Sequence, residues 1–184
     1  PMDVRYNVIQ WVHRATRGWS YGDSVIDPRT GEIIKGHVTL GSLRVRQDYL
    51  IALGLTSPFK SAETDTSAMK DMALARIRQL SAHEVGHTLG IAHNFAASVN
   101  NRASVMDYPH PLITLDNGVV NLANAYAKDI GEWDKYVVAY GYTDIEESQE
   151  ATFLAELITK TQQAGLQYVS DPDARPQSGA HATG

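Results

Sequence analysis

Residues 83–93 hold the densest cluster of side chains in this chain whose types and spacing could do chemistry. They read H-E-V-G-H-T-L-G-I-A-H, which places His83, Glu84, His87 and His93 at fixed offsets. Residues four apart on an α-helix lie about 40° apart around its axis and about 6 Å apart along it. His83 and His87 can therefore point at the same ion, each with a nitrogen about 2.0–2.1 Å from a zinc. The spacing predicts a metal site on a helix.

The third histidine needs a break in that helix. His93 lies six residues after His87, which on a continuous helix is about 9 Å further along the axis and on a different face. Gly90 lies between them, and glycine can end a helix in the left-handed conformation without a Cβ clash. We therefore predict that the helix ends at Gly90, that the chain turns back, and that His93 is the third ligand.

A zinc held by three imidazoles would keep one coordination position for water. Catalytic zinc sites have this arrangement, whereas four protein ligands usually close structural zinc sites. Glu84 follows His83 directly, so its carboxylate can lie beside that water, accept its proton and pass it to a leaving amine. The alternative is that ordinary surface residues occur in this order by coincidence, or that the site has lost its function. The pattern favours hydrolysis by a zinc-bound water.

The composition narrows the classes of partner. The chain has 16 basic and 21 acidic residues, a formal charge of −5, and so has no basic surplus for phosphate backbones or anionic membranes. It has no cysteine, which excludes disulfides, thiolate nucleophiles and cysteine-ligated zinc. The longest apolar run, Tyr49–Leu55, is far shorter than the roughly 20 residues of a membrane helix. We expect no nucleic-acid partner and no membrane insertion.

The zinc-binding segment ends a long predicted helix, with shorter elements before and after it. Apolar residues recur at helical spacing from about Ser67, and nothing interrupts them before Gly90. The other predicted elements are strands at 4–11, 21–26 and 33–40, helices at about 42–53, 128–140 and 146–164, and an extended segment at 166–170. The second and third strands form a hairpin around a Pro-containing and Gly-containing turn.

Two motifs together resemble the metzincin zinc metallopeptidases. H-E-x-x-H-x-x-G-x-x-H is the pattern of that group, and S-V-M-D-Y at residues 104–108 looks like the methionine turn of astacins and serralysins. By this resemblance Met106 forms an apolar floor below the metal ligands. Tyr108 would hydrogen-bond the oxyanion of the tetrahedral intermediate.

More of the chain resembles the large bacterial metzincin-type peptidases that are similar to the catalytic subunit of AB5-type metalloprotease toxins. The similar segments are R-V-R-Q-D-Y-L from Arg44, R-Q-L-S-A-H-E-V-G-H-T-L-G from Arg78, H-N-F-A-A-S from His93 and S-V-M-D-Y-P from Ser104. Such proteins are generally exported and carry further domains on either side. The resemblance implies a fragment of a larger polypeptide that is periplasmic, cell-surface or secreted.

The resemblance also implies the fold, an α+β zincin domain over residues 1–184. Residues 1–90 would form an upper subdomain, a small twisted mixed sheet over the zinc helix that lacks the first strand and helix of the family. Residues 91–170 would form an irregular, mostly helical lower subdomain with the methionine turn, and residues 171–184 a loose tail. The strand at 33–40 resembles the edge strand that pairs with extended substrates, an ordinary outer strand being the alternative.

We therefore predict a zinc-dependent endopeptidase with a peptide or protein substrate. Zn²⁺ would bind His83, His87 and His93, and Glu84 would act as general base and then as general acid. A different hypothesis is a non-catalytic binding module on a retired protease fold, against which the presence of Glu84 argues. A zinc hydrolase of a non-peptide amide or ester is also compatible with the spacing, since only the resemblance favours peptides.

Overall fold

The computed structural model describes residues 3–14, 16, 18–56 and 66–174, and these residues divide into two compact units. Unit 1 comprises Pro1–Gly90 and His110–Lys128, and unit 2 comprises Ile91–Pro109 and Asp129–Gly184. The small sheets and several helices confirm the predicted α+β class. Within the described ranges, no helix combines the length and the apolar character needed to cross a membrane.

Unit 1 contains a three-stranded mixed sheet made of β1 (Val8–Val12), β2 (Tyr21–Ile26) and β3 (Ile33–Gly41). The order is β1-β3-β2, with β3 parallel to β1 and antiparallel to β2. The prediction that residues 33–40 form an edge strand is therefore wrong. In β3 the consecutive residues Val38, Thr39 and Leu40 are each at most 4% exposed, so both faces of the strand are covered, as a central position requires. In the described part of the chain, β1 and β2 are the edges.

Unit 1 also contains two helices, α1 (Leu43–Thr56) and α2 (Ser67–Thr88). The long α2 confirms the helix predicted from Ser67 towards Gly90. Alanines and the methionines Met69 and Met72 pack with Leu122 and Tyr126 into the hydrophobic core of unit 1. A short hairpin that the sequence analysis did not predict, β4 (Thr114–Asp116) and β5 (Val119–Asn121), completes the unit.

Glycines let α2 lie directly on the sheet. A Cβ on Gly22 of β2 would be 1.9 Å from the backbone oxygen of Glu84, and a Cβ on Gly36 of β3 would be 3.0 Å from the Thr88 side chain. Because the first contact joins backbone to backbone, no side-chain rotation could relieve it. Glycine at position 22 therefore lets β2 approach the backbone of α2 closely at Glu84.

A buried polar cluster joins α1 and α2 within unit 1. Asp48, fully buried, accepts a hydrogen bond from Nε of Arg44 over 3.2 Å. The guanidinium of Arg76 lies over the Tyr126 ring, 5.3 Å from its centroid. Burial raises the pKa of Asp48, and the charges of Arg44 and Arg76 offset part of that rise. The cluster places a buried carboxylate within the influence of two guanidinium charges, of which that of Arg44 is partly exposed.

Unit 2 is mostly helical. Its elements are a 3₁₀ turn at Phe95–Ser98, α3 (Glu132–Tyr142), α4 (Glu147–Gln163) and α5 (Asp171–Ala174). The helix predicted from residue 128 begins four residues later because Asp134 caps it by accepting a hydrogen bond from the Gly131 N–H. The loose tail expected from residue 171 differs in its first turn, which is α5, while residues 175–184 lie outside the described residues.

Candidate metal centre

The last two turns of α2 bring two of the predicted ligands together. Nε2 of His83 and Nε2 of His87 are 3.2 Å apart, and the two rings meet edge to face. Two nitrogens bound to one tetrahedral zinc at 2.0–2.1 Å would lie about 3.3 Å apart. His83 is 1% exposed, so its ring is fixed by packing. The pair has the spacing of two ligands on one ion.

Gly90 ends the helix as predicted. Its φ is +80°, and its N–H donates to the carbonyl of His87 at the helix end. The chain turns there, and His83, His87 and His93 each place one ring nitrogen within 4.8 Å of the other two. Three imidazoles at this separation are a donor set that suits zinc. The structure thus confirms that these three histidines form a group able to hold a metal.

Glu84 follows His83 directly in α2, and its pKa is strongly raised. The side chain is 4% exposed, and burial raises its pKa to about 7. A hydrogen bond from the backbone N–H of Gly22 and the charge of Arg76 act in the opposite direction. A carboxyl group whose pKa is near neutral can both accept and return a proton at physiological pH.

The methionine turn is held by a buried aspartate that sequence reasoning missed. Asp134 of α3 accepts hydrogen bonds from the Ser104 hydroxyl at 2.5 Å and from the Val105 N–H at 2.8 Å, besides the one from Gly131. The Ser104 hydroxyl oxygen in turn accepts from the N–H of Met106, whose side chain is fully buried. Residue 134 lies about 30 positions from residues 104–106, so no local motif could have indicated this contact.

Tyr108 lies beside the third histidine. Its hydroxyl oxygen is 2.9 Å from Nε2 of His93, and the centroids of the two rings are 4.9 Å apart. The backbone of the turn is fixed by Asp107, which accepts from the N–H groups of Ser98 and Tyr108. Tyr108 is 53% exposed, so about half of the residue is open to solvent.

A second acidic residue contacts the ligand group, and the sequence analysis did not single it out. Oδ2 of Asp171, the first residue of α5, is 2.8 Å from Nδ1 of His93. The two residues are 78 positions apart, so no motif spacing could have indicated the pair. Metal-bound histidines usually have a carboxylate or carbonyl partner at the second ring nitrogen, and this general rule was the available signal.

Comparison with protein-family models gives one match, over residues 65–184, to a family described as Met-zincin. The matched segment covers well over half of the chain and includes the three histidines, Glu84 and the methionine turn. Searches of curated proteins and of solved structures found no match. The finer likeness to the toxin-related bacterial peptidases stays a prediction.

Proposed function

The chain belongs to the Met-zincin family, and we propose that it is a zinc-dependent endopeptidase that hydrolyses peptide bonds in peptide or protein substrates. The observation that carries the proposal is the grouping of His83, His87 and His93, which place ring nitrogens within 4.8 Å of one another, with Glu84 next in sequence to the first of them. From the resemblance to the large bacterial metzincin-type peptidases, we also propose that the enzyme acts after export and as part of a longer polypeptide.

The donor set supports zinc as the cofactor. A zinc ion on these three imidazoles would supply a Lewis acid that polarises the scissile carbonyl and lowers the pKa of a water at the remaining coordination position. The fully buried Met106 supplies an apolar side chain in the turn that follows the ligands.

Glu84 is the group we propose for proton transfer. It accepts the proton of the attacking water and delivers it to the amine that leaves when the peptide bond breaks. Burial raises its pKa to about 7, which suits both steps of this transfer. The carboxylate is a stronger base than a solvated glutamate, and because its pKa is close to neutral pH the protonated form can still return the proton.

Tyr108 is the group we propose for the oxyanion. Its hydroxyl lies 2.9 Å from a ring nitrogen of His93 and about half of the residue is open to solvent, so the hydroxyl can donate a hydrogen bond to a substrate carbonyl oxygen as negative charge develops there. A donor placed in advance of the reaction stabilises the transition state more than the ground state.

Cleavage of a quenched peptide library, read by mass spectrometry, tests the proposal. The wild type, Glu84→Gln and the matched control Glu147→Gln, which changes an exposed glutamate on α4, are compared with zinc present. We expect one zinc per chain in all three proteins and at least a 100-fold loss of cleavage in Glu84→Gln alone.

Equal cleavage by Glu84→Gln and the wild type would contradict the role of this carboxylate. Stoichiometric zinc without any cleavage by the wild type would reject the endopeptidase and favour the binding module or a hydrolase of another amide. Failure to bind zinc stoichiometrically would reject the metal site itself.

A further inference from the structure

Both ring nitrogens of His93 have a defined partner. Nδ1 lies 2.8 Å from Oδ2 of Asp171, and Nε2 lies 2.9 Å from the hydroxyl of Tyr108. The His93 side chain is 18% exposed and that of Asp171 is 42% exposed, so the pair lies at the rim of the protein. His93 differs from His83, which is almost fully buried and sits on a helix. His93 itself lies outside regular secondary structure, so side-chain contacts have to orient its ring.

The chain segment before Asp171 is tied to the segment after His93. The Phe95 N–H donates to the carbonyl of Val169 over 2.9 Å. The Asn94 side chain, fully buried, donates to the carbonyl of Gln167 over 2.9 Å and accepts from the N–H of Val169 over 3.1 Å. These three bonds hold the two segments side by side, and the carboxylate of Asp171 arrives beside His93 as a result.

The His93 ring also makes aromatic contacts. The rings of Phe95 and Tyr108 have their centroids 5.6 Å and 4.9 Å from it. Such ring contacts limit tilting of the imidazole but do not decide which nitrogen carries the proton. A hydrogen bond from one nitrogen to a carboxylate does decide it.

We propose that Asp171 is a positioning residue for the metal site, acting through His93. Its carboxylate accepts a hydrogen bond from Nδ1–H of His93, so the proton stays on Nδ1, the lone pair on Nε2 is left for the metal, and the plane of the ring is fixed. The inference rests on the proposed function only in taking His93 as a ligand, and it does not require the chain to cleave peptides. Removal of a partner of this kind typically weakens metal binding 10-fold to 100-fold.

Zinc affinity, measured by competition with a chromophoric chelator, tests the proposal. Asp171→Ala is compared with Asp173→Ala, a matched control in the same helix whose carboxylate accepts from the Ser170 hydroxyl. We expect Asp171→Ala to weaken zinc binding 10-fold to 100-fold. Asp173→Ala should stay within about 3-fold of the wild type, because that carboxylate has no contact with His93 among the bonds described here. Asp171→Asn keeps an acceptor oxygen without the charge, so its zinc affinity should lie between those of Asp171→Ala and Asp173→Ala.

The tautomer of His93 gives a second readout that does not depend on the metal. Long-range ¹H–¹⁵N spectra of the protein freed of metal with a chelator should show the proton of His93 on Nδ1 in the wild type and in Asp173→Ala. In Asp171→Ala this preference should be lost. The chelated variants are also melted, so that loss of the fold is recognised as such.

Two results would overturn the proposal. One is zinc affinity and tautomer in Asp171→Ala equal to those of the wild type. The other is equal weakening by Asp171→Ala and Asp173→Ala, which would assign the effect to helix α5 as a whole. If the wild type binds zinc but cleaves no peptide, the proposed endopeptidase fails while the affinity comparison still decides the role of Asp171.

Discussion

Replacing Gly22 with alanine should force β2 and α2 apart at the zinc-binding segment. The new Cβ would lie 1.9 Å from the backbone oxygen of Glu84 and 2.7 Å from its carbonyl carbon. Side-chain carbons essentially never approach other atoms within 3.0 Å, so the two backbones have to separate by at least about 1 Å. The same movement strains the hydrogen bond between the Gly22 N–H and the Glu84 carboxylate.

The expected cost follows from this geometry. Overpacking in a well-filled site costs about 1–3 kcal/mol, and the upper end applies because both partners are backbone. For a chain of this length, about 3 kcal/mol corresponds to a melting temperature lower by about 6–12 °C. If Glu84 has the proton-transfer role proposed above, a displacement of its carboxylate by about 1 Å should also reduce kcat about 100-fold.

Thermal unfolding of the chelated protein and kcat on the best library peptide measure the two effects. Gly54→Ala is the matched control, because a Cβ at that position of α1 meets no atom within 4 Å. It should stabilise the helix slightly, by up to about 1 kcal/mol, and leave kcat unchanged. A Gly22→Ala protein that melts within 2 °C of the wild type, a margin of roughly half a kcal/mol, and turns over normally would refute the close contact.

Three other changes test the remaining features. Asp134→Asn replaces a carboxyl group that accepts three hydrogen bonds with an amide that has one acceptor oxygen, so urea unfolding should show a loss of about 3 kcal/mol in the free energy of unfolding. An unchanged midpoint would contradict the anchoring of the methionine turn. Burial raises the pKa of Asp48, so the folded chain binds this proton before the unfolded chain does as the pH falls towards 3.8. As the pH falls from the raised pKa of Asp48 in the folded chain to 3.8, the wild type should therefore gain stability relative to Asp48→Asn, and it should lose that gain as the pH rises again. Parallel curves of unfolding free energy against pH for the two proteins would disprove this. Tyr108→Phe should lower kcat about 100-fold while zinc affinity stays within a few-fold, and a normal kcat would exclude the oxyanion role.

The metal ligands could be predicted from sequence because their geometry is local. His83 and His87 lie one helical turn apart, so the period of the helix alone brings them together. Gly90 is the residue type that the turn requires, and its φ of +80° agrees with that expectation. Neither inference needs the position of any distant part of the chain.

The supporting residues could not be predicted, because distant segments provide them. Asp171 and Asp134 are ordinary acidic residues near helix starts, where a carboxylate is favourable whatever else it contacts. Only the folded chain shows that one meets His93 and the other meets Ser104, which lie 78 and 30 positions away.

The strand order was wrong for a similar reason. A hairpin pattern predicts that β2 and β3 pair, but it does not indicate whether β3 has a second neighbour. The crossover from β1 to β3 supplies that neighbour, and Gly36 marks close packing against α2 in a strand that the sequence analysis placed at an edge. The hairpin of β4 and β5 was missed although Asn117 and Gly118, both with positive φ, form the turn that such hairpins favour.

The pairing of His93 with Asp171 also has a consequence for biosynthesis. His83 and His87 are brought together by a single helix, whereas the pairing closes a loop of 78 positions, and loop closure becomes more costly as a loop grows. A chain still being synthesised therefore contains a two-histidine half-site well before residue 171 exists to orient the third ligand. We expect such an unfinished chain to bind zinc weakly, so that stable metal loading follows completion of this segment.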